Sequence, residues 1–218
     1  MTFVAADGST VLVVADGMGG HKAGEVASAI TVQVLRRELA QPGADPTTAL
    51  RTAIERANLN VWQEAERDPE KAGMGTTVVA AVIVGDQAYL ANAGDSPAYL
   101  VRDGAAEQIN HDHGLVAEQV ASGLITEDDA EHHPFRHMLT RCLGVEAHVD
   151  VEVYPPRTLL PGDVLVLASD GLTEHVKRHE VAALTTAPDP TEIAVGLIAV
   201  ANQRGGHDNT TVVVARVE

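Results

Sequence analysis

The residues with the most chemistry to offer are aspartates in a repeated setting. In VLVVADGMGGHKAGE (Val11–Glu25) an apolar run ends at Asp16, with Gly17, Gly19 and Gly20 behind it. VLVLASDGL likewise runs into Asp170-Gly171, LANAGDS ends at Asp95, and GGHDNTTVVVARV sets Asp208 just ahead of an apolar run. Taken alone, each is turn punctuation or a helix cap. As a set they are carboxylates at strand termini. Gathered at one edge of a packed sheet, they stay ionised together only when cations neutralise them. An oxygen-rich donor set, without CxxC or metal-spaced histidines, points to Mg²⁺ or Mn²⁺ rather than zinc. The glycines let the backbone come close, so that a carbonyl such as that of Gly17 joins the ligands. Several carboxylates can hold two ions about 4 Å apart, and a water bridging them loses its proton near neutral pH and attacks a phosphoryl group. No GxSxG or catalytic-cysteine signature competes with this chemistry. GMGGHKAG is no P-loop, because it lacks GK[ST], and no dinucleotide loop, because Lys22 stands where the third glycine belongs.

The elements that must position these residues follow from periodicity and turn signals. TFVAADGSTVLVVAD predicts two strands joined at Asp7-Gly8. Helices are predicted over 23–39, with Val26, Ile30 and Val34 recurring, and over 47–66, with Leu50, Ile54, Ala57 and Val61 on one face; QPGADP separates them. TTVVAAVIVG and AYLANAGDSPAYLVRDG predict strands with turns at Gly85-Asp86 and Asp103-Gly104. The segment 111–144 is polar, histidine-rich and irregular, with short helices. Strands resume at 149–154 and 164–168, a helix follows over 190–203 with Ile193, Leu197 and Val200 on one face, and TTVVVARV is the last strand. Tight turns imply mostly antiparallel pairing, with paired helices covering sheet faces. One domain, residues 1–218, is expected.

Composition narrows the function classes. Of 218 residues, 45% are apolar, enough for a sizeable core. Aromatics at 3% leave little to stack on bases, and a net charge of −16 repels nucleic acid and anionic membranes while suiting cations. The single cysteine, Cys142, makes no internal disulfide and reads as a small core residue. No signal peptide or membrane-length apolar run is present in the sequence, so a cytoplasmic monomer is expected.

Seven segments, in order and across nearly the whole chain, resemble the bacterial metal-dependent protein phosphatases of the 2C type: VADGMGGHKAGEVAS, GMGTTVVAAV, ANAGDSPAYLVRDG, HDHGLVAEQVASGLIT, HHPFRHMLTRCLG, GDVLVLASDGLTEHV and GGHDNTTVVVA. The resemblance implies an α+β fold: a four-layer α-β-β-α sandwich of two antiparallel sheets flanked by helix pairs. It implies hydrolysis of phosphoserine and phosphothreonine in proteins with Mn²⁺ or Mg²⁺, opposing serine/threonine kinases. On that basis Asp16 bridges two ions, the Gly17 carbonyl binds one of them, Asp170 and Asp208 hold the other, and Asp95 with Asp170 match a third site. His21 matches a histidine tied to substrate handling or leaving-group protonation. The segment of about 111–144 is the expected flap, with His111, His113, His132 and His133 on its surface. Thr76 and Thr77 read as strand residues near the site, and Asn209 as a residue orienting Asp208 or capping a turn.

Two departures stand out. The family opens with a strand carrying a phosphate-binding arginine and then acidic residues, whereas no Arg or Lys precedes Asp16 here. That usual first strand is expected to be missing, either because the true start lies upstream or because the chain is a weak or inactive phosphatase-like regulatory or binding module. The other departure is Pro97, where relatives commonly carry arginine; proline lacks an N–H donor and suits a strand start. A relative acting on a small phosphorylated molecule is a third reading, since substrate choice lies in the groove and flap.

Overall fold

The computed structural model describes the chain apart from Gly20, Pro42 and Ala44 and the side chains of His21, Lys22 and Glu131. Strands β1 (Thr2–Val4) and β2 (Thr10–Val14) form the expected hairpin around Asp7-Gly8, and β3 (Gly17–Met18) leads into α1 (His21–Glu38). Helix α2 (Pro46–Arg67) and a 3-10 turn (Pro69–Lys71) precede β4 (Gly75–Thr76), β5 (Val78–Val84), β6 (Gln87–Ala93), β7 (Ala98–Arg102) and β8 (Ala105–Gln108). The segment 111–144 carries α3 (Leu115–Ala121) and α4 (Glu127–Glu131). Then come β9 (Glu152–Val153), β10 (Arg157–Thr158), β11 (Val164–Ala168), α5 (Asp170–Thr173), α6 (Arg178–Leu184), α7 (Pro190–Gln203) and β12 (Val212–Arg216).

Among the described residues, one large sheet runs β1-β2-β5-β6-β10 with β9 also on β6, a second runs β12-β11-β7-β8, and β3 pairs with β4 in a small third. All of their pairings are antiparallel. The period of two along each strand splits the apolar residues between two interfaces. Leu12, Val14, Val79, Ala81, Leu100, Leu165 and Leu167 face inward and form the core between the sheets. Their neighbours Val11, Val13, Val78, Ala80 and Val82 pack outward on Leu35, Leu50, Ile54 and Ala57 of α1 and α2. Tyr99, Val101, Val164, Val166 and Ala168 pack outward on Val181, Ile193 and Leu197 of α6 and α7. The layers are therefore helix pair, sheet, sheet, helix pair. Strands covered on both faces need apolar residues at every position, which is why they read as runs rather than alternations.

Both long helices with described starts open on Asp-Pro-Thr. Asp45 accepts from the Thr47 N–H at 3.0 Å and Asp189 from the Thr191 N–H at 2.8 Å, each with proline in the first turn, where no N–H is needed. The expected strand over 149–154 is reduced to Glu152–Val153, which pairs with Asn92 and Ala91 of β6, and Tyr154 adds one bond, its N–H donating to the Leu90 carbonyl at 3.0 Å. Helix α6 was not expected from the sequence; its seven residues show too little periodicity to declare it. Pro97 sits directly before β7 and its carbonyl accepts the Ala168 N–H at 3.0 Å, so the missing donor costs no ladder bond.

Candidate metal centre

Strand register brings the aspartates to one end of the sandwich. In the first sheet Val14 pairs with Val79, and Val78 pairs with Ala93, so Asp16 and Asp95 each lie two residues past the ends of β2 and β6, the strands that flank β5. In the second sheet Ala168 pairs with Val212 and Leu167 with Ala98. Asp170 therefore follows β11 at the same end at which Asp208 approaches β12 and Asp95 approaches β7. Asp95 lies on the connection that crosses from one sheet to the other.

Three local devices hold these segments. The main chain of Asp16 is clamped by Thr76 and Thr77: its N–H donates to Thr77 Oγ1 at 3.1 Å, and its carbonyl accepts from Thr77 N and Thr76 Oγ1, both at 2.8 Å. Both threonines are buried and act through the Asp16 backbone, a role the sequence reading left to strand structure. Ser169 stitches the Asp170 and Asp208 segments together: its hydroxyl donates to the Asn209 carbonyl at 3.2 Å and accepts from Thr211 N at 3.0 Å. Gly171 allows this approach, since a Cβ there would stand 2.5 Å from the Asn209 carbonyl oxygen. The Asp208 side chain accepts its own neighbour's N–H, from Asn209, at 2.7 Å.

At Gly17 the close backbone approach expected of a glycine is made to the start of α1. A Cβ on Gly17 would lie 2.0 Å from the Gly24 carbonyl oxygen, and one on Gly24 would lie 2.7 Å from the Gly17 carbonyl. They permit backbone-to-backbone packing of β3 on the first turns of α1. That contact fixes the loop that presents Asp16. His21 opens α1, but its side chain lies outside those described, as does Gly20.

The electrostatics mark the cluster as a site that wants a cation. Burial, the charge and hydrogen bond of Asp170, and the charges of Asp208 and Asp95 push Asp16 up to about 8. Burial and the charges of Asp170 and Asp112 push Asp95 up to about 7. Asp112 is itself raised, by burial first and then by Asp170 and Glu118. It belongs to the cluster although the sequence reading passed over it; the Asp within NHDHG was the available signal. Asp170 Oδ1 is buried with no hydrogen-bond partner. An orphaned carboxylate oxygen among mutually repelling carboxylates fits a hard divalent cation. His137 and Glu174 also bring one ligand atom each within 4.8 Å of Asp170 and of each other.

The histidines of the 111–144 segment divide. His111 and His132 are exposed, as expected. His113 is only 2% exposed, because its ring is drawn inward between Gly94 and Glu152. Burial holds its pKa below the ordinary histidine value, against the opposing pull of Glu152. Cys142 is half-buried, and burial pushes its thiol up to about 11, which suits an inert packing role.

Comparison with known proteins shows the family to which the chain belongs. The family model described as protein phosphatase 2C matches residues 1–194. Serine/threonine phosphatase stp of Listeria welshimeri is 39% identical over 216 residues, covering 95% of this chain and 84% of that protein. The crystal structure of the Mycobacterium tuberculosis serine/threonine phosphatase PstP/Ppp superposes with a TM-score of 0.88 at 38% identity, covering 95% of this chain and 88% of the other. A structure of the PstP catalytic domain in complex with two manganese ions superposes with a TM-score of 0.84 at 35% identity, with the same coverages. A chain with this sandwich, this acidic end and these relatives belongs to the protein phosphatase 2C family.

Proposed function

We propose that this chain hydrolyses phosphoserine and phosphothreonine in proteins, with Asp16, the Gly17 carbonyl, Asp95, Asp170 and Asp208 as the groups that hold Mn²⁺ or Mg²⁺. The observation that carries the assignment is the buried, unpartnered Asp170 Oδ1 beside Asp16 and Asp95, whose carboxyls are pushed up by burial and by neighbouring carboxylates. When bound, such ions supply an acidified water and neutralise charge on phosphoryl oxygens. The chain's own residues present the carboxylates: Thr76 and Thr77 fix the Asp16 peptide, and Ser169 fixes the Asp170 segment against that of Asp208. His21, at the start of α1 just past the Asp16 loop, is the proposed proton donor to the leaving alkoxide. The retained carboxylates favour catalysis over a binding-only role.

Residues 1–218 are proposed to act as one domain with a flap at about 111–144, as a monomer, on substrates of serine/threonine kinases in the cytoplasm. No helix among the described residues is long and apolar enough to cross a membrane. Light scattering should return one chain mass, 22.9 kDa; twice that value would overturn the monomer.

The test of function is release of phosphate from p-nitrophenyl phosphate and from a phosphothreonine peptide, with Mn²⁺ and with EDTA. Mn²⁺-dependent turnover of both is expected. Asp170→Asn and Asp208→Asn should each lower kcat/KM at least about 100-fold with the circular dichroism unchanged. Full activity in both variants refutes the ligand assignment.

A further inference from the structure

We propose that His113 is a positioning residue of the metal centre, its imidazole tying the Asp95 turn to the root of the flap and thereby setting the cation affinity on the Asp95 side. This rests on the reading of Asp95 as a cation ligand.

The geometry is specific. His113 Nδ1 accepts the Gly94 N–H at 3.2 Å, and the His113 main-chain N–H donates to the Gly94 carbonyl at 3.2 Å. A ring nitrogen that accepts from a backbone N–H carries no proton, so the proton sits on Nε2. Nε2 lies 2.7 Å from Glu152 Oε2, which accepts that proton and fixes the tautomer. Arg141 Nη1 lies 3.4 Å from the same ring nitrogen and 3.9 Å from Glu152 Oε2; with Nε2 protonated, its partner is the carboxylate. The other Glu152 oxygen holds His111 Nδ1 at 2.7 Å.

The same residue closes the flap at its base. The His113 carbonyl accepts from Thr140 N at 2.7 Å and from Thr140 Oγ1 at 2.8 Å, and Leu115 N donates to the Met138 carbonyl at 2.8 Å. The two ends of the flap therefore meet at His113, whose ring reaches the residue preceding Asp95. Asn92 supports the turn in parallel, donating to the carbonyls of Gly94 and His111, both at 3.0 Å. A network of this kind acts on a ligand as outer-shell partners do, and loss of one typically costs 10–100-fold in metal affinity.

Mn²⁺ binding is measured by calorimetry on the whole chain, alongside melting in EDTA and the Mn²⁺ dependence of p-nitrophenyl phosphate hydrolysis. His113→Phe, which keeps an aromatic ring and removes both bonds, should weaken the weakest Mn²⁺ binding step by about tenfold or more. The Mn²⁺ needed for half-activation should rise, with kcat recovering at saturating Mn²⁺. His113→Asn can still accept the Gly94 N–H and should restore most of the affinity. Glu152→Ala, at a partly exposed position, releases the tautomer and should weaken Mn²⁺ in the same direction; it carries the test where His113→Phe does not fold. Wild-type Mn²⁺ binding with unaltered affinity in these variants overturns the proposal, even where melting temperature falls, and leaves the metal centre standing. Absence of Mn²⁺ binding by the wild type overturns both.

Discussion

Thr77 Oγ1 lies 2.7 Å from Ser96 Oγ while accepting the Asp16 N–H at 3.1 Å. One hydroxyl thus joins the two aspartate-bearing segments of the first sheet's end. Asn110 holds the far side of the same turn, donating to the Ser96 carbonyl at 3.0 Å and accepting from Ala98 N at 2.7 Å. Thr77→Val keeps the shape and deletes the bridge. It leaves the Asp16 N–H without its partner, and a cost of about 1–3 kcal/mol in urea unfolding is expected. Mn²⁺-dependent turnover should fall with it, and Thr77→Ser should recover both.

Gly24→Ala reverses a common rule. Inside an ordinary helix this change gains roughly 0.5–1 kcal/mol. Here the new Cβ would meet the Gly17 carbonyl carbon and oxygen at 2.7 Å, both of them backbone atoms. A loss of about 1–3 kcal/mol is expected instead, with weakened Mn²⁺ binding because the Asp16 loop is displaced. Thermal melting and calorimetry check both; a stabilised variant would show that the β3–α1 contact yields easily.

Asp163 supplies the pH dependence. Arg102 Nε and Nη2 donate to its two oxygens at 2.9 and 2.6 Å, and Leu160 N donates at 2.7 Å to a side chain that is 2% exposed. The Arg102 hydrogen bonds hold this carboxyl below the ordinary aspartate range. A depressed carboxylate stabilises the fold above its unfolded-state pKa, about 3.9, and that contribution fades as pH falls through the folded value. Asp163→Asn should therefore cost about 1.5–3 kcal/mol at pH 7, with the gap to wild type narrowing below about pH 4. A gap that is constant with pH would refute the ion pair as its origin.

Cation removal should register in stability as well as activity. Mn²⁺ at 100 times its Kd adds about 2.7 kcal/mol to the folded state, roughly 5–11 °C in Tm for a chain of this size. EDTA should abolish the shift, and Asp208→Asn should shrink it. A Tm indifferent to Mn²⁺ in the wild type would contradict the proposed ligand set.

His21→Asn separates two leaving groups. Nitrophenolate departs without a proton, whereas the alkoxide of threonine needs one. The variant should lose far more turnover on a phosphothreonine peptide than on p-nitrophenyl phosphate. Equal losses on the two would remove His21 from that step.

The architecture was legible in the sequence where one residue type had one reason to be there. Leu50, Ile54, Ala57 and Val61 are all fully buried on the predicted face of α2, and α7 occupies its predicted span, because an Asp-Pro start and an apolar stripe agree. Strands β9 and β10 were not legible as they stand, because two-residue pairings on β6 come from tertiary context rather than pattern. The aspartates stood out because a charge ending an apolar strand is anomalous. Asp112, His113 and Ser169 did not, because their significance arises from partners distant in the chain: Glu152 for His113, Asn209 for Ser169. The glycines stood out as well, but not the Gly17–Gly24 contact, since a sequence does not say what an added Cβ would strike.

The register that lines up Val14, Ala93, Ala168 and Val212 has a consequence for how the protein comes into being. No two adjacent segments of chain suffice to make the acidic end; it needs the first hairpin, the crossing between sheets and the last strand all at once. Ladders between such distant partners form late and together in folding. Cation binding then draws on the free energy of the whole sandwich. A partly folded or nicked chain is accordingly expected to be inert toward substrate rather than weakly active, so that catalytic competence certifies complete assembly.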